Sequence, residues 1–479
     1  MSNFKREIRL YDAVMLVSGS MIGSGIFLVS SDVARQTGAS GWMLVSWLIA
    51  GLLTMAGALC YGELSAMFPQ AGGQYIFLQK AYNRLVGFLY GWSFFAVIQT
   101  GTIAAIAVAF STYTGVVLPE IINDNAIGNL KVGTFYISSQ RLLAILSVIL
   151  LTYSNTKGIK QGKIIQNIFS STKLIALGLI ILIGFTFFNF DLFSANFTNA
   201  FDTNPTQFTK SGDSWVGGSI SVFGIILALG VTQVGTLFAS DAWNTLTFTG
   251  DEVVEPQKTI PRGLAIGTLV VTVLFILTNI VYLGILPLKG DSNASDAIGR
   301  GIQFASQDRV AAAAAEAIGG PPFAIVVAIL IMISTFGCNN GLILSGARVY
   351  YTMAKDDLFF KNFGVLNEKG VPQNALWWQC LWACVLCLSG KYGDLLDYLM
   401  GVVIMFYALT IYGIFILRRT MPEAPRPVKA PLYPIIPALY VILTVAIVLI
   451  LIKEKPEYTF PGLIVVAIGI PVYYFFNKK

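Results

Sequence analysis

Two short runs hold the residue types that could grip a small charged molecule. The first is Gly19-Ser20-Met21-Ile22-Gly23-Ser24-Gly25-Ile26-Phe27, where two glycines flank a serine inside an apolar stretch. Glycines there weaken a helix and leave room for a ligand to approach the backbone. Gly19 and Gly23 equally have the GxxxG spacing of a small-residue packing face, and from this segment alone both readings stand. The second run, Phe238-Ala239-Ser240-Asp241-Ala242-Trp243-Asn244, sets an acid, an amide and an indole among apolar neighbours, where polar groups are costly and must be satisfied.

If each run interrupts a helix, the chemistry follows. A helix half that begins at a break exposes unpaired N–H groups and a positive dipole end, which suits a carboxylate; a half that ends there exposes carbonyls, which suit an ammonium. A zwitterionic α-amino acid presents both. Backbone in the two runs, Met21-Ile22-Gly23-Ser24-Gly25 and Phe238-Ala239 included, could by itself hold those two groups, the sequence leaving open which atoms do so, with Asp241, Trp243 and Asn244 free to choose the side chain.

The elements that must position these runs are set by composition. The chain has 479 residues, 55% hydrophobic and 12% charged, with a mean hydropathy of +0.71. That is more apolar surface than a soluble core buries, so lipid is the solvent for much of it. A spanning helix needs about 20 apolar residues. Runs of that kind fall at roughly 10–36, 41–68, 84–118, 136–154, 164–190, 221–250, 262–287, 321–352, 374–390, 395–417, 431–452 and 459–476, an expected all-α transmembrane fold of about twelve helices. Ala311 to Ala315, too short to span with its flanks, is expected as a short helix on the outer surface.

An even count puts both termini on one side. The flanks facing that side carry most of the bases, among them Lys5, Arg9, Lys80, Lys160, Lys163, Arg262, Arg418, Arg426, Lys478 and Lys479, which marks it as cytoplasmic. The net charge of +6 is then a topology signal and no nucleic-acid footprint, since the bases form no patch. No cleavable signal peptide is visible.

Counted inward from the cytoplasmic ends, Gly23 lies about 13 residues deep and Asp241 about 10, which places both near the midplane. They sit in spans one and six, corresponding members of two five-helix halves. Paired interruptions of this kind point to a transporter site between inverted repeats. The expected units are 1–190 (first repeat), 191–220 (outer loop), 221–418 (second repeat) and 419–479 (two added helices).

The chain resembles a family at this point: the amino acid, polyamine and organocation superfamily, closest to its L-type amino acid transporter branch. The resemblance is carried in order by Gly23-Ser24-Gly25-Ile26-Phe27; by Tyr61-Gly62-Glu63-Leu64 with Pro69 and Gly72-Gly73-Gln74-Tyr75; by Phe238 to Asn244 with Gly250-Asp251-Glu252 and Ile260-Pro261-Arg262; by Phe336-Gly337, Asn340-Gly341 and Arg348 to Lys355; and by Arg426-Pro427-Val428-Lys429 with Tyr433-Pro434. It implies a leucine-transporter-like fold with helices one and six unwound, and secondary transport of L-amino acids by exchange. It further implies that amides around Ser24 and Gly25 take the substrate carboxylate, that the carbonyls of Met21 and Phe238 take the amine, and that Trp243 and Asn244 shape the pocket. On helix ten the position of a pocket aromatic corresponds here to Ile404, with Phe406 and Tyr407 nearby. Animal relatives are disulfide-linked to a heavy subunit through a loop cysteine. The loop from Pro119 to Ser139 has none, so the chain is more like the prokaryotic members, and no such partner is expected.

Lys173 lies about 10 residues, roughly 15 Å, into span five, too deep for ordinary snorkelling. In L-type relatives a helix-five lysine fills the place of a sodium ion, which implies contacts from Lys173 to Gly19 or Ser20 and to Ser334 or Thr335. Pairing with an unseen acid, or proton coupling, are the other readings. Asp241 is either a partner for a basic substrate side chain or internally paired. Glu63 and Arg348, near span ends, are expected to pair structurally. Cys60, Cys338, Cys380, Cys384 and Cys387 all fall inside spans and read as small hydrophobes. With no histidine and few intramembrane carboxylates, no enzyme, metal site or cofactor is expected. A channel lacks its repeated polar filter, and an amino acid sensor lacks its added signalling domain.

Overall fold

The computed structural model describes residues 6–70, 72–127, 131–132, 135–157, 159–211, 214–390 and 392–477, without the side chains of 131, 132, 159–170 and 477. Among the bases behind the topology expectation, Lys5, Lys478 and Lys479 and the side chains of Lys160 and Lys163 lie outside the described residues. The first apolar run is two helices, α1 (Leu10–Met21) and α2 (Gly25–Thr37), bent by 45° at Ile22 to Ser24. Next come α3 (Ser40–Met67), the short α4 (Gln74–Ala81), and α5 (Arg84–Ser93), which runs through a π-helical turn at Phe94–Ile98 into α6 (Gln99–Val117). A small hairpin, β1 (Lys131–Val132) and β2 (Phe135–Tyr136), leads to α7 (Ser139–Thr156) and α8 (Ile159–Thr186).

The stretch expected only as an outer loop is built. It holds α9 (Phe190–Phe197) and an antiparallel hairpin of β3 (Thr206–Ser211) and β4 (Ser214–Ser219), with Thr206 opposite Ser219. Trp215 of the hairpin lies against the Arg35 guanidinium, 4.5 Å from ring centroid to Cζ, at the end of α2. A cation on an indole face is worth about 0.5–2 kcal/mol, so the hairpin grips α2.

The sixth span is shorter than expected. The helix α10 (Val222–Ala239) stops before the polar run, Ala242 adopts a left-handed φ of 64°, and only one turn, α11 (Thr245–Phe248), follows. The helix α12 (Pro256–Ile285) is followed by the short α13 (Ala297–Arg300) and by α14 (Val310–Lys355), which bends at Gly319 and Gly320. Ala311 to Ala315 are helical but buried at 1–6% exposure, which corrects the surface placement: five methyl side chains let this turn pack close. The chain closes with α15 (Gln373–Ser389), α16 (Tyr392–Thr420), α17 (Ile435–Glu454) and α18 (Pro456–Asn477).

Among the described residues eight helices are long and apolar enough to cross a membrane, or up to ten if each of two bent pairs counts as one. The expected twelve include α7 and α15, which are not among them. The molecule is an all-α multi-pass membrane protein. Large apolar side chains such as Leu52, Leu182 and Ile442 point outward at 61–65% exposure, as lipid-facing surface does. Inside, α3 and α1 pack on α12, α6 and α8 on α14, and α2 on α10, which sets the two breaks side by side at the centre.

Candidate functional site

At the end of α1 the last-turn carbonyls find separate donors. Ser18 accepts from the Ile22 amide at 3.0 Å, Gly19 from Lys173 Nζ at 2.8 Å and Ser20 from Cys338 Sγ at 3.4 Å. The Met21 carbonyl has no donor among the described residues. On the other side of the break the amides of Gly23, Ser24, Gly25 and Ile26 have no acceptor among the described residues, and the first turn of α2 begins there. Carbonyls at Met21, Ile22 and Gly23 and a row of amides are thus without partners among the described residues, at a helix end that favours negative charge.

At the second break the Phe238 carbonyl is already used. It accepts from the Asp241 amide at 3.0 Å, so the expectation that it takes the amine fits less well than for Met21. Asp241 accepts from the Tyr407 hydroxyl, and Asn244 Nδ2 donates to Gln74 Oε1 at 3.3 Å, whose Nε2 reaches Thr410 at 2.9 Å. The internal pairing of Asp241 is therefore present, and no base pairs with it among the described residues.

Two small cavities meet here. One, of about 20 Å³, is lined by Ser20, Met21, Gly23, Ser24, Gly25, Phe238, Ala239, Asp241 and Cys338. The other, of about 30 Å³, is lined by Gln74, Gln99, Asp241, Asn244, Phe406 and Tyr407 among others. They share Thr102, Asp241, Ala242 and Leu342. Each has room for one or two water-sized bodies, so a substrate must widen them.

Most of the residues expected at the site line one of these cavities. Ile22 and Trp243 do not. With Asp241 and Asn244 turned inward, Trp243 between them faces the other way and packs on Tyr61 and Tyr407, ring centroids 4.7 and 5.4 Å apart. Ile404 is behind that indole, lining a separate void with Tyr440, while Tyr407 and Phe406 reach the site. Gly25 is held small by packing: a β-carbon on it would lie 2.5 Å from the β-carbon of Ala239, where the two broken spans cross. On Gly23 it would meet Cys338 Sγ at 3.5 Å and the Met21 carbonyl at 4.0 Å, ordinary contacts.

Lys173, at 1% exposure, reaches Gly19 as described, but its bridge does not extend to the expected hydroxyls of α14. Thr335 donates back to the carbonyls of Ile331 and Met332, as a helical threonine readily does. The Ser334 hydroxyl has no partner among the described residues. Cys338, one turn on, does reach α1, at the Ser20 carbonyl. Only its apolar surroundings were legible in the sequence; the Asn-Asn-Gly after it was the one hint of a polar patch.

A family model described as amino acid permease matches residues 8–473. The chain belongs to the amino acid permease family. Among similar proteins, the Asc-type amino acid transporter 1 of Mus musculus is 28% identical over 98% of this chain and 81% of its own length. The large neutral amino acids transporter small subunit 2 of Oryctolagus cuniculus is 28% identical over 98% and 80%, and the b(0,+)-type amino acid transporter 1 of Homo sapiens is 27% identical over 99% and 88%.

The two ends of this permease differ. On the N-terminal side, Glu63 receives Arg418 through both oxygens at 3.0 and 2.6 Å and the Ala430 amide at 2.7 Å. Arg348 pairs with Glu252 at 2.9 Å, and the N-terminal segment joins Glu252 and Val254 through backbone bonds. On the opposite side lies a cavity of about 530 Å³, lined by Asp32, Arg35, Asp394, Asp397 and Lys455 among others. Tyr392 forms its floor: it accepts from Ser24 Oγ at 3.1 Å, and its ring meets Phe238 edge-on at 5.9 Å.

Proposed function

We propose that this amino acid permease exchanges L-amino acids across the cytoplasmic membrane of the cell by alternating access, without sodium. The observation that carries the reading is the break between α1 and α2, where the Met21 carbonyl and the amides of Gly23 to Ile26 have no partners among the described residues: an ammonium acceptor and a carboxylate cradle beside each other, as an α-amino acid needs. The substrate passes unaltered, so neither cofactor nor metal enters the cycle. Residues 1–190 and 221–418 act as the two inverted repeats, joined by the outer loop 191–220 and followed by 419–479, with both termini in the cytoplasm. The relatives' names point to amino acids, in one case large neutral ones. Here the cavity beyond the break is walled by Gln74, Gln99, Asp241, Asn244 and Tyr407, so side-chain choice is made by hydrogen bonding as much as by size. Asp241, with no base beside it among the described residues, is suited to admit a substrate with a basic side chain. No disulfide-linked heavy subunit is needed, as the five cysteines lie within helices.

Independence from sodium rests on Lys173, whose ammonium sits 2.8 Å from the Gly19 carbonyl and supplies a fixed cation there. Purified protein in liposomes preloaded with an amino acid mixture is expected to take up labelled L-alanine, L-leucine or L-arginine equally in sodium and in choline buffer at equal pH. Uptake that needs sodium overturns this. In the same assay Asp241→Asn is expected to weaken competition by arginine; unchanged competition leaves Asp241 with its bond to Tyr407 as its only role.

A further inference from the structure

The last turn of a helix leaves four carbonyls to be satisfied, and in α1 three of them are matched by three different parts of the molecule: the chain itself at Ser18, α8 at Gly19 and α14 at Ser20. The α14 donor is a thiol. Cys338 is 3% exposed, reaches the Ser20 carbonyl at 3.4 Å, and also lines the cavity that holds Met21, Ser24 and Gly25. Its sulfur lies 3.5 Å from where a Gly23 side chain would begin, so it backs the row of free amides as well as the carbonyl end.

We propose that Cys338 is a positioning residue of the substrate site: by capping Ser20 and walling the Gly23 backbone, it leaves Met21 as the one last-turn carbonyl of α1 open to the substrate amine and fixes the register of the bound amino acid. This rests on the transport reading above and adds a residue to it. The side chain has the right form for both tasks. Sulfur reaches farther from the helix than a hydroxyl, and a serine at this place would turn to its own i−4 carbonyl. A thiol is also a weak donor, so Ser20 is capped without a charge that would compete with the substrate ammonium. Without Cys338 a second carbonyl of that turn opens and the amide end gains slack, so the amine can settle one residue off register.

The consequence is a thiol that substrate must cover. Wild-type protein in liposomes is treated with methyl methanethiosulfonate, with and without a saturating mixture of L-alanine, L-leucine and L-arginine, and modification of each cysteine is followed by peptide mass spectrometry. Cys338 is expected to react, to do so at least fivefold more slowly with the amino acids present, and to stop uptake once modified, while Cys380 and Cys384 react at rates the amino acids do not change. In parallel, Cys338→Ala is expected to raise KM three- to tenfold with the maximal rate kept within twofold, and Cys338→Ser to fall between it and wild type. A merely structural role would lower thermal stability and maximal rate and leave KM alone. The proposal is overturned if Cys338 stays unmodified in both conditions, if the amino acids give no protection, or if KM in Cys338→Ala equals that of wild type. No uptake by the wild type would overturn the transport reading and this proposal with it, whereas uptake with Cys338 unprotected overturns this proposal alone.

Discussion

On one side of the central cavities a buried carboxylate, Glu63, is held by two arginines and a backbone amide; on the other, one tyrosine accepts one serine hydroxyl and meets one phenylalanine ring. The first closure joins α3, the end of α16 and the segment before α17 by charge-assisted bonds. Removing one partner from such a buried group costs about 3–5 kcal/mol. The second amounts to about 1 kcal/mol for a neutral hydrogen bond and roughly 0.5–1.5 kcal/mol for the aromatic pair. Beyond Tyr392 the path widens at once into the 530 Å³ cavity. The difference teaches which way this conformation opens. On the wide side a neutral hydrogen bond and a ring contact at Tyr392 adjoin the site, whereas on the N-terminal side ion pairs between helices must part together.

The comparison breaks most sharply at Glu63. Glu63→Ala takes the shared carboxylate from Arg418 and Arg426, which retain the Tyr433 ring and backbone carbonyls respectively, and the purified protein is expected to lose up to about 3–5 kcal/mol of stability, read as a lowered unfolding temperature in detergent. An unchanged unfolding temperature would mean that the N-terminal closure is no stronger than the other. The pivot between the two closures gives a smaller effect. Gly25→Ala drives a methyl into Ala239 where the broken spans cross, at a cost of about 1–3 kcal/mol for overpacking, while Gly23→Ala is accommodated beside Cys338. Equal yields and unfolding temperatures for the two variants would remove the crossing from the account. The smallest change is at the thin closure. Tyr392→Phe removes the acceptor for Ser24, worth about 1 kcal/mol, and is expected to speed reagent access to Cys338 roughly fivefold while lowering stability by no more than about that amount. Unaltered access would show that Tyr392 is not what separates the wide cavity from the site.

Much of this was legible in one dimension, for reasons that differ by residue. The breaks at Gly23 to Gly25 and at Ser240 to Asn244 could be read because glycines and polar groups are costly inside apolar runs, so their presence marks an interruption. The depth of Lys173 followed from counting at a fixed rise per residue. Ala242, whose φ of 64° ends the sixth span early, gave no such sign, because alanine carries no marker of a left-handed turn. Cys338 looked like any small apolar residue, and Ser334 and Thr335 looked better suited to meet Lys173 than they are.

By itself, then, the sequence determined that lipid is the solvent, where the helices lie, and which two of them are broken, since each is a matter of local composition and length. Only the tertiary structure decided which groups meet at those breaks. That Tyr407 and not Ile404 faces Asp241, that Trp243 turns away from the cavity, and that Cys338 caps Ser20 depend on the rotation of one helix against another. Such rotations are set by packing between residues as far apart as Ser20 and Cys338, and no window along the chain contains both.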